Sequence, residues 1–407
     1  MIISRKEFDD IVDYLNKSAM YNMSLGAMEL YHSNFWRWLM EYDIRYIGIF
    51  FDELANVNKK EVEIDREFNN TDISFKVKKK YYLVENKFKS LVNKDQLEKY
   101  ENKKEIKNNF EKGKYLFPIW MQKYEDLYKG EKNIKWNFLQ YEEIIKKIET
   151  ISNSVFTPSQ KVTDTNYKII EEYVKMTRNL IKLIYFVIGA HYKDKYILDD
   201  KDVFKILKSI RLHDIMSKIN CELLKDELKE RLKNEFVEYD KILIKSDYQK
   251  SSYLQARWKL PYDDNDLSKG YFLIGAHLQG NEIKTMIHMC AKHLGLEGIK
   301  NKSNDIKDNI TNILYGYIEP YIFNHGVTYY STSQTNKCCR YIGIEDGFEY
   351  VSIYKYIRIT NQNNETGFGN LCDEFVKILK PFENINKDEL IKEIKKAVID
   401  IKSLNYI

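Results

Sequence analysis

Cysteine and proline are scarce in this chain, five of each among 407 residues, and there are seven histidines. Cys221, Cys290, Cys338, Cys339 and Cys372 form no spaced framework, and the adjacent Cys338-Cys339 pair does not suit a structural staple, so a disulfide scaffold is excluded. No apolar run reaches the length of a bilayer-crossing helix, and the opening MIISRKEFDD lacks a secretory hydrophobic stretch. A cytoplasmic protein without membrane association is therefore expected. The chain has no G-x-x-x-x-G-K-[ST] run to cradle nucleotide phosphates, which argues against a nucleotide-driven motor. It also lacks a helix-turn-helix or zinc-finger signature for direct reading of bases.

What the chain does have is charge of both signs, 65 basic against 61 acidic side chains for a net charge of +4. That balance permits nucleic-acid binding without establishing it, because the distribution of charge matters more than the total. The length is sufficient for two or more hydrophobic cores.

Three short strands are legible near residue 70. Glu61 to Phe68 alternates, Asn69-Asn70 suits a turn, and Thr71 to Val77 suits a second strand. A basic turn at Lys78-Lys79-Lys80 leads into Tyr81 to Phe88. Period-two alternation puts Glu85 and Lys87 on one side of that third strand, and pairing with the second strand brings Asp72 close to Glu85. Burying a carboxylate or an ammonium alone is costly, so a half-buried site favours their pairing or a shared metal ion. Two such carboxylates can hold Mg2+ while the lysine prepares a water. The same spacing also arises on ordinary solvated surface in a chain this rich in charge. Glu63 and Glu67, of one parity on the preceding strand, read either as further ligands or as its solvated side.

With Gln96-Leu97-Glu98-Lys99-Tyr100 downstream and Glu29, His32-Ser33, Trp36, Trp38 and Leu39 upstream, the pattern resembles the PD-(D/E)XK nuclease superfamily. The resemblance covers roughly residues 20 to 180. It departs from the family at its first motif, where Thr71 rather than proline precedes Asp72. It implies an α/β, restriction-endonuclease-like mixed sheet flanked by helices. It also implies a Mg2+ site, with Mn2+ as substitute, held by Asp72, Glu85, the carbonyl of Asn86 and Glu29, hard oxygen donors of the kind Mg2+ prefers. Lys87 would orient the attacking water. Gln96 and Tyr100, four apart on a helix, would meet along one face and touch phosphate or steady the catalytic strand. Read without the resemblance, Glu29 simply pairs with His32, and Tyr100 packs with a polar tip.

Lys76, Lys78, Lys79, Lys80, Lys87 and Lys89, with Lys103, Lys104 and Lys107, form a basic concentration that would neutralise phosphates or merely keep turns soluble. Lys114 to Met121 and Asn133 to Gln140 read as further strands, the first limited by Pro118. Ser, Thr and Pro interrupt the pattern at Ser152 to Thr165, which suggests a core at 1–155, a helical segment at 156–245 that packs on or links the core, and an α+β accessory, substrate-recognition or assembly domain at 246–407. In the last, Asn281 to Leu294 reads as a helix with Ile283, Ile287, Cys290 and Leu294 as its apolar stripe. On that reading His288, Cys290 and His293 belong to packing rather than to zinc. Tyr329 to Ser331, Cys339 to Ile344 and Phe348 to Ile359 read as strands. The last of these presents Tyr350, Tyr354, Tyr356 and Arg358 on one parity, as a base-stacking surface or as ordinary cross-strand packing. Asn386 with Glu389 reads as the cap of a final helix.

The expected function is that of a Mg2+-dependent DNA endonuclease leaving 5'-phosphate and 3'-hydroxyl ends, in restriction, phage defence or DNA processing. RNA or modified DNA as substrate, and an inactive nuclease fold that binds nucleic acid or assembles with others, stay open beside it. So do a homodimer and a protein partner.

Overall fold

The computed structural model describes residues 3–24, 28–88, 94–117, 135–192, 201–247, 253–262, 271–279, 282–323, 339–345, 348–358 and 367–404. They belong to two compact units, Met1–Gly189 with Lys205–Met216, and Ala190–Phe204 with Ser217–Ile407. The chain is thus mixed α/β with two separate sheets. Among the described residues no helix is long and apolar enough to cross a membrane.

The first unit opens with helices α1 (Arg5–Lys17), α2 (Ala19–Ser24) and α3 (Met28–Tyr42). Its sheet runs β1 (Val62–Arg66), β2 (Ile73–Val77), β3 (Lys80–Asn86), β4 (Phe110–Phe117) and β5 (Trp136–Gln140), in that spatial order. The first two junctions are antiparallel and the last two parallel. A parallel junction needs a crossover, and helix α4 (Lys94–Glu101) falls between β3 and β4. The apolar residues of α4, Leu97 and Tyr100, bury against Leu83, Ile106, Phe110, Tyr115, Phe117 and Trp136. Gly113 is obligatory on that face, because a Cβ there would lie 2.3 Å from the Trp136 ring.

Helices α5 (Tyr141–Val155), α6 (Pro158–Thr163) and α7 (Thr165–Tyr192) follow. The Ser-Thr-Pro stretch lies inside the first unit: α6 begins with Thr157 and Gln160 in a reciprocal capping box, and α5 and α7 as far as Gly189 belong to that unit, so this part of the helical segment packs on the core. Residues well past 155 complete that core, as where Tyr173 of α7 stacks on Phe35 of α3 with ring centroids 3.7 Å apart.

The chain continues through α8 (Lys201–Ser209) and α9 (His213–Glu235). The second sheet is built from β6 (Ile242–Asp247), β7 (Tyr253–Pro261), β8 (Tyr271–Gln279), β9 (Glu282–Cys290), β10 (Cys339–Glu345) and β11 (Phe348–Arg358). All its junctions are antiparallel, in the order β10-β11-β9-β8-β7-β6. Helices α10 (Ala291–Leu294), α11 (Asn304–Ile322), α12 (Phe368–Glu383) and α13 (Lys387–Ser403) complete the second unit. Leu224, Leu228 and Leu232 of α9 share one core with Leu314, Leu379 and Ile394 of these helices and with the even-numbered apolar residues of β7 and β8. Asn386 caps α13, its side chain accepting from the Glu389 amide at 3.2 Å.

The helix expected over 281–294 is instead strand β9 followed by the short α10. Ile283 and Ile287 are four apart, a spacing that helical and strand periods share. Thr285 and Met289 complete the strand pattern by turning inward with them. Gly295 caps α10 at φ 66°. Pro118, Lys89 and the expected strand at Tyr329 to Ser331 lie outside the described residues.

Candidate active site

Strand β3 passes from exposed Lys80 to fully buried Glu85 and Asn86. Its side chains therefore divide at the buried end. Leu83 and Glu85 face α4, while the Asn86 side chain faces α3 and α5, where its amide nitrogen donates to the Glu29 carbonyl at 2.9 Å and its oxygen accepts from the Tyr141 hydroxyl at 2.5 Å. Ile73 pairs with Val84, so Asp72, one residue earlier, stands opposite Glu85. The Asn86 amide N–H donates to Asp72 Oδ2 at 2.6 Å and fixes that approach.

Lys87 lies just beyond the strand and keeps its parity. Its ammonium is 2.5 Å from Glu85 Oε1, with the two side chains 12% and 2% exposed. Gln96 of α4 donates to the same oxygen at 2.8 Å and to the Tyr100 hydroxyl at 2.5 Å, and that hydroxyl in turn donates to the Asn70 carbonyl at 2.8 Å. Glu85 Oε1 is thus doubly satisfied, whereas the equally buried Oε2 has no hydrogen-bond partner among the described residues.

Electrostatics follow from this crowding. Burial, and then the charge of Glu85, push the Asp72 carboxyl up to about 7, only partly offset by the Asn86 amide and Lys87. Burial also raises Glu85 against the opposing pull of Lys87. For Lys87, burial disfavours the charge but is outweighed by Glu85, through charge and hydrogen bond, and by Glu29 and Asp72, so its pKa rises. The cluster carries more negative charge than one lysine neutralises, a state that a divalent cation relieves. Among the described residues no three His, Cys, Asp or Glu side chains are already drawn together as a metal shell. The donor set still fits a hard cation, with the unpartnered Glu85 Oε2 and the Asp72 carboxylate as first donors and Glu29 close enough to act electrostatically on both.

The other expected residues fall in three groups. His32 is structural: it is fully buried among Tyr31, Trp36, Phe88, Tyr141 and Tyr173, and its Nδ1 is 2.8 Å from the Tyr173 hydroxyl. Burial lowers its pKa to about 3, so it is neutral and does not pair with Glu29. Tyr100 is 4% exposed with its hydroxyl bonded inward, which removes it from any nucleic-acid surface and makes it a support for Gln96. Lys78, Lys79 and Lys80 form the turn at the opposite end of β3, five residues or roughly 16 Å of strand from Glu85. Lys80 there meets Glu111 at 3.1 Å, and Lys76 meets Glu63 at 3.0 Å on the exposed edge, so Glu63 is no ligand. Glu67, next to Arg66 at 3.4 Å, adopts φ 57° in the turn before Asp72, with its side chain in solvent. Tyr354 and Arg358 belong to β11 of the second unit.

Ser33 of the upstream pattern and Tyr141 tie Asn86 in place; Tyr141 carries no sequence mark of this role and simply follows β5. Compared with family models, with curated proteins and with solved structures, the chain matches none.

Proposed function

We propose that the first unit is a restriction-endonuclease-like nuclease domain and that the protein is a Mg2+-dependent endonuclease acting on DNA. The observation that carries this reading is the convergence of Asp72, Glu85 and Lys87 in one buried cluster with Glu85 Oε2 left over. Asp72, Glu85 and the Asn86 carbonyl would hold the cation, with Glu29 as the further carboxylate. When bound it would supply Lewis-acid activation of water and charge stabilisation at the phosphate. Lys87, held by Glu85, positions a water for in-line attack and offsets phosphate charge. Gln96 and Tyr100 fix the orientation of Glu85. Cleavage on this pattern leaves 5'-phosphate and 3'-hydroxyl ends.

The test is a matched cleavage assay on linear, circular, single-stranded and modified DNA and on RNA, with Mg2+, with Mn2+ and with chelator. The wild type is expected to cut DNA in a metal-dependent way, and Glu85→Ala and Lys87→Ala to fold without cutting. Cutting of RNA alone would move the substrate class. A well-folded wild type inert on every polymer would support a binding or assembly role, and undiminished cutting by both variants would remove the site.

A further inference from the structure

The residue before Asp72 is where this chain departs from the pattern it resembles, with threonine in the place of proline. A proline ring would fix the backbone there, at φ of about −65°. Thr71 has no ring, yet its backbone is extended at φ −88° and ψ 146°, and the residue is fully buried. What holds it is a pair of bonds to one acceptor. The Thr71 hydroxyl donates to the Phe68 carbonyl at 2.7 Å, and the Thr71 N–H donates to the same oxygen at 3.1 Å. A carbonyl oxygen has two lone pairs, so both bonds form together. A proline supplies neither.

The turn that these bonds close has an uncommon shape. Glu67 precedes the short 3-10 turn Phe68–Asn70 at φ 57°, and Asn70 ends it at φ 64°, both in the left-handed region. Outside glycine such backbone persists only where the surroundings over-determine it. The ties are visible here: the Asn70 N–H donates to the Glu67 carbonyl at 3.1 Å, the Tyr100 hydroxyl to the Asn70 carbonyl at 2.8 Å, and the Phe68 ring stacks on Tyr81 with centroids 5.7 Å apart. The Glu67 N–H also reaches the Asp72 carbonyl at 3.4 Å. Thr71 is the joint between this turn and β2, which begins at Ile73. Beyond the joint, the Asp72 carboxylate accepts from the Asn86 N–H at 2.6 Å.

A fully buried hydroxyl bonded to a backbone carbonyl does not itself meet metal or phosphate. Its effect is on the direction in which Asp72 enters the site. We propose that Thr71 is a positioning residue for the candidate metal centre: its hydroxyl, held by the Phe68 carbonyl, sets the angle at which Asp72 presents its carboxylate to a divalent cation beside Glu85. This role rests on the nuclease reading of the first unit and adds to it a residue that carries no charge. Because the Phe68 carbonyl keeps the Thr71 N–H, loss of the hydroxyl leaves no buried acceptor unpaired, and the turn is expected to loosen rather than unfold.

The test is Mn2+ binding to the full chain, followed by electron paramagnetic resonance, with Glu85→Ala marking the ion bound at this site. Thr71→Val keeps the shape and removes the hydroxyl, whereas Thr71→Ser keeps the hydroxyl. Loss of a group that orients a metal ligand costs about 10- to 100-fold in metal affinity, so Thr71→Val is expected to weaken Mn2+ binding by about that factor and Thr71→Ser by less than about threefold. Ile148→Val, a substitution of a buried residue two helical turns beyond Tyr141, shows what lost stability alone does and is expected to leave the affinity unchanged. Thr71→Ala takes the place of Thr71→Val if the latter fails to fold; failure of both to fold would assign Thr71 to stability alone and overturn the role. Wild-type affinity in Thr71→Val, equal weakening in Thr71→Val and Thr71→Ser, or weakening matched by Ile148→Val would also overturn it, with the nuclease reading left in place. A wild type without Mn2+ binding that Glu85→Ala removes would instead overturn the nuclease reading, and the role with it.

Discussion

Gln96 and Glu85 meet across the crossover from β3 to α4, the amide nitrogen 2.8 Å from Oε1. That bond, shared with Lys87, leaves Oε2 as the oxygen free for a cation. Removing a group that orients a metal ligand typically costs 10- to 100-fold in activity or metal affinity. Gln96→Ala is expected to lose cleavage by about that factor, and part of the loss should return as Mg2+ is raised. Gln96→Glu, which sets a like charge against Glu85, is expected to lose more. Rates measured across a Mg2+ titration check both.

Lys87 is held by Glu85 rather than by solvent, so its ammonium is oriented before substrate arrives. Lys87→Ala is expected to lower the single-turnover cleavage rate by about 10²- to 10⁴-fold, the range for loss of a group that handles the water. Lys87→Arg should not rescue it, because a planar fork cannot take the place of a compact ammonium in this buried space. Equal rates for Lys87→Ala and wild type would remove the lysine from the mechanism.

Asp72 gives the site a pH signature. Its carboxyl titrates near 7 when folded, against about 3.9 in an unfolded chain, so between those values the folded state holds the extra proton and stability falls as pH rises. His32, neutral down to about 3 when folded, works the other way: unfolded chains take up its proton below about 6.5, and stability rises with pH across that window. The two slopes oppose each other, and Asp72→Asn removes only the first. In chelator, the melting temperature of Asp72→Asn minus that of wild type is expected to grow from pH 4 to pH 7. A difference that is constant with pH would contradict the raised carboxyl.

Asn86 places its side chain between the Tyr141 hydroxyl and the Glu29 carbonyl. Asn86→Ala leaves the buried Tyr141 hydroxyl without its acceptor, at about 1–3 kcal/mol, whereas the Glu29 carbonyl still accepts from the Ser33 hydroxyl at 3.0 Å. Urea denaturation of the full chain is expected to show that loss in the transition of the first unit, and Asn86→Asp, which keeps the acceptor for Tyr141 but turns an oxygen toward the Glu29 carbonyl and buries a further carboxyl beside the cluster, should lose at least as much.

Gly113 lies under the Trp136 ring, which also packs near Tyr100 at 6.4 Å between ring centroids. Gly113→Ala forces that ring away, with an overpacking cost of about 1–3 kcal/mol. Because Trp136 buttresses α4, a red-shifted tryptophan emission should accompany a lower cleavage rate.

The three strands around Asp72 were legible because alternation and turn residues mark them locally, and Glu85 with Lys87 followed from strand parity alone. The roles of Gln96 and Tyr100 could be narrowed only to one helix face; which of them touches the carboxylate depends on how α4 docks, a tertiary matter. The lysines at 78–80 look adjacent to the site in sequence, but a strand carries its two ends apart, and proximity along the chain misleads there. Strand β9 was misread because isoleucines four apart satisfy both periods.

Asn86 joins segments that are far apart in the chain: its amide holds Asp72, and its side chain holds the first turn of α3 and the start of α5. The β2–β3 register sets the two carboxylates opposite each other, and the docking of α3 and α5 on the Asn86 side chain secures that alignment. A chain emerging from the ribosome, or one partly unfolded by stress, has the residues of the centre without its alignment. On the proposed nuclease reading, competence to cut would then depend on the docking of the whole first unit and not on the carboxylate-bearing strands alone.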